Sequence, residues 1–419
     1  MKAILVGINK PNNLFDANYT LLELENLANT LEIEVADKVI QNLERINPKT
    51  YIGKGKLNEI LLKVITNNID VCIFDDELTP SQIRNISDIL NIEVLDRTYL
   101  ILKIFELRSS TKESKLEIKL AKDLYLLPRI QYLREKESRI GGGSSTSTRG
   151  SGETQRELDR RHLMAEINHI RKELIEIKKM KLNQIEKRKK NEIPIVALVG
   201  YTNAGKSSTM NSILEYTNQN NDKNVLEKNQ LFSTLATYNR LINYKKVNFM
   251  LVDTIGFVSK LPHTLVNSFY ETLQEIKNAD LIIHVVDSSS IYLNEQIKVV
   301  LEVLYNIDAN KIDNFFLLNK WDNTIDENLI CKNKFIKYSN KTKENIDLLL
   351  DTILEEISPS FIHARLLIPY KESKITNIIE KNSNITVREY NDNGIYYDLE
   401  IPKKLYDLVK QYDLDMMVS

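Results

Sequence analysis

The chain has 419 residues, 42% hydrophobic and 27% charged, a length that calls for more than one packed core and a composition that excludes a wholly disordered or fibrous protein. Its 57 basic residues nearly balance 58 acidic ones, for a formal net charge of −1, so no global positive field marks a nucleic-acid binder and any RNA contact must be local. The two cysteines, Cys72 and Cys331, lack metal-ligand spacing, and no apolar run reaches spanning length, which together point to a cytoplasmic protein without a disulfide scaffold or zinc site.

In residues 1–110 short apolar runs alternate with helical patterns, with strands expected at 71–74 and 92–95 and helices at 21–31 and 81–90, a small α/β domain. Residues 111–190 read as a helical hairpin. Leu116, Leu120, Leu124 and Leu127 recur at helical spacing, and Leu163, Ile167, Ile170, Leu174 and Ile177 recur in steps of four and three, the seam of a coiled coil. Between the two runs the Gly/Ser-rich stretch 141–152 cannot hold helix and forms the tip. An arm of about 25 residues at 1.5 Å rise projects about 40 Å.

A strand–helix alternation then runs over 191–357, with parallel strands expected at 193–199, 247–252, 281–286 and 315–318, each apolar on both faces. Residues 358–419 read as a small α+β domain, with a helix near 374–381, two strands about the Asn391-Asp392-Asn393-Gly394 turn and a last helix from Lys403. The fold class is α/β: a small N-terminal α/β domain with a long antiparallel helical hairpin, a doubly wound nucleotide domain and a small α+β C-terminal domain.

Gly200-Tyr201-Thr202-Asn203-Ala204-Gly205-Lys206-Ser207 fits G-x-x-x-x-G-K-[ST] between an apolar strand and a helical pattern. Its backbone N–H groups and the helix N-terminus suit phosphates, Lys206 bridges the β- and γ-phosphates, and the Ser207 hydroxyl binds Mg²⁺. The strand at 249–252 ends in Asp253-Thr254-Ile255-Gly256, where Asp253 holds Mg²⁺ through water and the Gly256 N–H senses the γ-phosphate. Asn319-Lys320-Trp321-Asp322 matches N-K-x-D: the Asp322 carboxylate accepts from guanine N1–H and the 2-amino group, and the Lys320 stem covers the base, so GTP is favoured over ATP. Ser339-Asn340-Lys341 resembles the last guanine loop, with Asn340 where alanine is usual.

Further motifs make the chain resemble the HflX GTPases, a ribosome-associated branch of the translation-factor-related class. They are Tyr51-Ile52-Gly53-Lys54-Gly55-Lys56, Phe74-Asp75-Asp76-Glu77-Leu78-Thr79-Pro80-Ser81-Gln82, Val94-Leu95-Asp96-Arg97-Thr98 and Thr148-Arg149-Gly150-Ser151-Gly152-Glu153-Thr154-Gln155. The resemblance places Phe232-Ser233-Thr234 on the first switch, with Thr234 as the Mg²⁺-binding threonine. Ala236-Thr237-Tyr238-Asn239 departs from the family's Asp-Pro-Thr-Thr before Arg240. Lys206, Thr234 and Gly256 are the candidate catalytic groups. Phe257 stands where Ras-like enzymes place the glutamine that orients water, so intrinsic hydrolysis should be slow and stimulated by a partner. The resemblance implies that this partner is the large ribosomal subunit with its rRNA, in ribosome splitting or rescue; GTP and GDP are the ligands expected from the loops, and a monomer is expected.

On the arm, Arg139, Arg149, Arg156, Arg160 and Arg161 are candidates for RNA contact, although interleaved Glu153, Glu157 and Asp159 equally suit a solvated coiled-coil face. Asn203 matches the residue with which potassium-using GTPases coordinate K⁺ against the phosphates, which makes K⁺ a candidate cofactor beside Mg²⁺; the bland alternative is an asparagine that braces the loop or first switch. Gly53-Lys54-Gly55-Lys56 reads equally as a phosphate-binding turn, where the resemblance allows a second, ATP-related activity, or as a plain turn before a helix. The five histidines have no ligand spacing, and His284, inside an apolar strand, is expected to be a satisfied core imidazole. Two other functions fit less well: an RNA-modifying protein with an accessory GTPase, and a GTP-sensing binding module. Peripheral membrane association stays open.

Overall fold

The computed structural model describes the chain except residues 12, 130–150, 191–192, 218–237, 246, 255, 261–275, 325–333, 358–360 and 416–419, and it describes no side chains for 151–156, 178, 181–190, 361, 373, 381 and 403–404. Two compact units result, Met1–Leu348 and Leu349–Ser419.

The first unit opens with a parallel sheet of β1 (Lys2–Asn9), β2 (Glu34–Asn42), β3 (Val71–Phe74) and β4 (Glu93–Asp96) in the order β2-β1-β3-β4. Helices α1 (Ala17–Thr30), α2 (Lys54–Asn67), α3 (Pro80–Leu90) and α4 (Arg97–Arg108) connect them. Local chemistry sets the helix starts. Asp16 accepts from the backbone N–H of Asn18 and Tyr19 at the head of α1, and Thr79 with Gln82 forms a reciprocal capping box before Pro80 on α3. Asp96, the last residue of β4, accepts from Tyr99 N and so caps α4. One face of the sheet buries Ala3, Leu5, Val71 and Ile73 against α1 and α4, and the other buries Ile4, Val6, Cys72 and Phe74 with α2 and α3 residues.

Helices α5 (Lys112–Leu126) and α6 (Ser151–Lys190) form the hairpin. Ion pairs Lys112–Glu173 and Lys119–Glu166 run in opposite chain directions, which makes the pair antiparallel. The α6 seam is the expected one, with Ile167 and Ile170 buried and Leu163, Leu174 and Ile177 half-buried. On α5 the expected leucine stripe is only half-buried. The buried stripe is Ser114, Glu117, Ile118, Ala121 and Tyr125, because Ile118, Ala121 and Tyr125 pack with α4 residues in the domain core as well.

The nucleotide domain is a six-stranded sheet in the order β10-β9-β8-β5-β7-β6, built from β5 (Ile195–Val199), β6 (Tyr238–Tyr244), β7 (Val247–Asp253), β8 (Leu281–Asp287), β9 (Asn314–Asn319) and β10 (Phe335–Lys337). All pairs are parallel except β6 with β7. Helices α7 (Lys206–Tyr216) and α8 (Leu293–Asn306) follow β5 and β8, and α9 spans Ile346–Ile357. The phosphate loop leaves the central strand β5, where doubly wound sheets present ligands.

In the second unit, β11 (Phe361–Ile368), β12 (Asn384–Asn391) and β13 (Gly394–Pro402) form an antiparallel sheet in the order β11-β13-β12. With α10 (Ser373–Asn382) and α11 (Lys403–Val409) it encloses a core of Leu366, Ile379, Tyr397, Leu399 and Val409. No helix among the described residues is long and apolar enough to cross a membrane.

Candidate nucleotide site

The phosphate loop is held by its neighbours on three sides. A Cβ on Gly205, whose φ is +99°, would lie 2.1 Å from Asn319 Nδ2, so only glycine lets the base loop approach so closely. Asn319 Nδ2 donates to the Ala204 carbonyl at 2.7 Å, and Asn319 Oδ1 accepts from Asn340 N at 3.2 Å. Asn340 adds contacts that alanine would lack, from its Nδ2 to Gly205 O and Thr209 Oγ1, both at 3.2 Å. That amide ties the last guanine loop to the phosphate loop.

Lys206 is buried and donates to the Gly200 and Tyr201 carbonyls at 3.1 and 2.9 Å. Burial pulls its ammonium down to about 8, against an opposing pull from Asp253. Ser207 Oγ donates to Asp253 Oδ2 at 2.7 Å, and both residues are buried. Two hard oxygen ligands thus converge beside the lysine, a donor set that fits Mg²⁺. Thr254 turns its hydroxyl to the Leu198 carbonyl at 2.7 Å and is buried there, while Ile255 and Phe232, Ser233 and Thr234 lie outside the described residues. Asn203 sits exposed with φ +61°.

Gly256 closes the phosphate site from above. A Cβ there would meet Thr202 Cγ2 at 2.8 Å and Lys206 Nζ at 3.1 Å. Backbone bonds Thr202 N→Phe257 O at 2.7 Å and Phe257 N→Gly200 O at 3.2 Å zip this segment to the loop. The Phe257 ring is buried among Ala197, Val199, Ile276 and Ile282, so it serves as an anchor in the core.

At the base site, Ser339 Oγ donates to Asp322 Oδ1 at 2.7 Å and leaves Asp322 exposed. Lys320 is half-buried with φ +60°, Lys341 is exposed, and Trp321 packs beside Val286 and Phe316 with Lys337 Nζ 4.4 Å from its ring centroid. His284 is buried against Phe316 at 4.8 Å and desolvation depresses its imidazole to about 3. Its Nδ1 has no hydrogen-bond partner among the described residues, so there it is a neutral core residue with an unmet ring nitrogen and not the satisfied imidazole expected.

Sequence reasoning missed the joint between the N-terminal domain and this site. Val258 inserts into the core of the N-terminal domain. Tyr201 OH donates to Glu23 Oε1 at 2.7 Å and accepts from Ser259 N at 2.6 Å. Arg97 bonds Ser259 Oγ at 3.1 Å, pairs with Asp75 at 2.8 Å and pairs with Glu23. Lys260 Nζ reaches Asp75 Oδ2 at 2.5 Å and Asp76 Oδ1 at 2.8 Å. These carboxylates follow β3, beside the β1/β3 position where the strand order reverses. A doubly wound sheet offers a ligand site there, and Lys260 occupies it. The signal for this lay in the motifs at Asp75, Asp76 and Arg97, for which the sequence supplied no partner.

A family model described as "GTP-binding GTPase N-terminal" matches residues 18–106, one described as "GTP-binding GTPase Middle Region" matches 108–188, and one described as "50S ribosome-binding GTPase" matches 195–320. GTPase HflX of Caldanaerobacter subterraneus subsp. tengcongensis is 38% identical over 98% of this chain and 93% of its own length. The chain belongs to the HflX GTPase family. GTPase HflX of Escherichia coli is 35% identical over 85% of this chain and 83% of that one. A solved GTP-binding protein from Sulfolobus solfataricus in complex with GDP is 25% identical, with a TM-score of 0.45, over 85% of this chain and 99% of that one. As an HflX GTPase, the protein hydrolyses GTP through its phosphate-loop domain.

The remaining expected sites are placed unevenly. Arg160 and Arg161 are exposed on α6, Arg161 paired with Glu157 at 2.6 Å. Arg139 and Arg149, like the side chain of Arg156, lie outside the described residues. Gly53 is the N-cap of α2, and its N–H donates to Gln41 Oε1 at 2.9 Å.

Proposed function

We propose that this HflX GTPase binds GTP and GDP through the loop 200–207, the segment 253–256 and the base loops 319–322 and 339–341. Mg²⁺ is held by Ser207 directly, by Asp253 through water, and by Thr234 from the first switch. Its nucleotide state governs docking on the large ribosomal subunit and, through it, the splitting or rescue of stalled ribosomes. The protein works in the cytoplasm as a monomer.

The observation that carries this reading is the junction of the phosphate loop and the two base loops with an antiparallel arm in one compact unit. The 40-residue α6 is about 60 Å long at 1.5 Å per residue, and such a length reaches beyond a globular body to a large partner. With Phe257 at the position after Gly256 and its ring in the core, no glutamine stands there to order the attacking water, which fits slow intrinsic turnover and stimulation by that partner.

Co-sedimentation with ribosomal subunits under a non-hydrolysable GTP analogue and under GDP tests the reading. Binding to the large subunit only with the analogue supports it, and equal or absent binding in both overturns it. Deleting 141–152 should keep GTP affinity and abolish ribosome-stimulated hydrolysis. Asn203, exposed beside the phosphate site, is the candidate K⁺ ligand. Faster basal hydrolysis in KCl than in NaCl at equal ionic strength, lost in Asn203→Ala, would support that ion, and equal rates would remove it.

A further inference from the structure

We propose that Asp287 is a positioning residue for guanine-nucleotide binding, acting through Lys320. The proposal rests on the guanine reading of residues 319–322. Lys320 Nζ sits 2.6 Å from Asp287 Oδ2, with side-chain exposures of 31% and 18%. β8 and β9 pair in register at Asp287 and Asn319, so the two strand ends carry the carboxylate and the lysine side by side.

Asp287 is itself fixed. Its Oδ1 accepts from Ser289 N at 3.1 Å and from Ser289 Oγ at 2.6 Å. The neighbouring Ser288 grips the base loop, with its N and Oγ donating to Asn319 O at 3.0 and 2.7 Å and its Oγ 2.6 Å from Thr324 Oγ1. Five residues beyond Asp287, the Tyr292 ring packs at a tilt against Tyr19 with centroids 4.3 Å apart, and its hydroxyl donates to Asp16 of the N-terminal domain. The turn after β8 is therefore anchored at both ends.

A lysine has the most rotamer freedom to lose when its stem settles over a base. A carboxylate that holds the ammonium before the nucleotide arrives removes that loss from the binding step and slows the nucleotide's departure. As a half-exposed ion pair it adds little to fold stability, so its effect belongs to binding.

The full chain is assayed with a fluorescent GDP for dissociation rate and with GTP for KM and kcat. Asp287→Asn should release GDP about tenfold faster, the scale of one immobilised lysine side chain. GTP and GDP should weaken together, with KM rising and kcat at saturation nearly constant. In a Lys320→Met background the same substitution should add nothing. Unchanged release in Asp287→Asn would overturn the proposal, and so would an undiminished tenfold effect in the Lys320→Met background, which would mean that Asp287 acts on the fold. Ser289→Ala keeps the charge and the backbone N–H bond and removes the shorter, hydroxyl half of the brace. It should accelerate release in the same direction by a smaller factor, and wild-type release from it would also count against the proposal. Base choice in Asp322→Asn separately tests the guanine reading on which all this rests.

Discussion

Lys206 is the residue at which burial and catalysis pull in opposite directions. Desolvation lowers its ammonium from 10.5 to about 8 in the free protein, whereas bound phosphates favour the charged form. Between about pH 8 and 10.5 the folded, nucleotide-free chain holds fewer protons at this site than the unfolded chain, so its contribution to stability rises with pH across that window. Nucleotide binding has the reverse sign: it must take up a proton there, and GTP affinity should fall by up to about tenfold per pH unit above 8. Calorimetry in buffers of different ionisation enthalpy at pH 7 and 9 would show uptake only at the higher pH, and no uptake at either would contradict the depressed ammonium. Asp322 makes a second residue-scale prediction. Its Oδ1 is engaged by Ser339 while the side chain stays exposed, so Asp322→Asn should keep its placement and move preference from guanine toward xanthine, whose 2-oxo group an amide can donate to. Competition between GTP and XTP checks this, and full GTP affinity in the variant would refute it.

Among the elements, those with a chemical punctuation mark were legible from sequence. The Thr79-Pro80-Ser81-Gln82 run, a capping box with proline at the first helical position, opens the helix expected at 81–90. β6 was not legible, because among the described residues it lies at the sheet edge beside β7 alone and its pattern has no clean period. The buried stripe of α5 was misread for a related reason: a helix that packs on two sides has more than one apolar face, and the leucines mark only the half-buried one. On α6, packing should outweigh the surface pairs. Ile167 is 1% exposed, and Ile167→Ala should cost about 2–5 kcal/mol in urea denaturation. Lys112→Ala, which breaks only the exposed pair with Glu173, should fall within the error of the same measurement. A comparable loss from both would mean that charge, and not the seam, holds the arm.

At the scale of the first unit, the nucleotide site was readable from its loops because each motif carries its own chemistry, whereas its union with the N-terminal domain was not. Glu23, Asp75, Arg97 and Ser259 are far apart in sequence and meet only when two sheets come together, so no local pattern announced them. Arg97 is 1% exposed and pairs with Glu23 and Asp75, which are 6% and 0% exposed. Such a cluster is weak evidence for net stability, yet removing one partner strands the others in a medium that cannot solvate them. Arg97→Ala should therefore destabilise the first unit by about 3–5 kcal/mol near neutral pH. Arg97→Met, which keeps the buried stem and loses the charge, should show most of the same fall in melting temperature. A melting temperature for Arg97→Met equal to wild type would show that Arg97 matters through its packing, and that the charges around Ser259 and Tyr201 do not bind the two domains together.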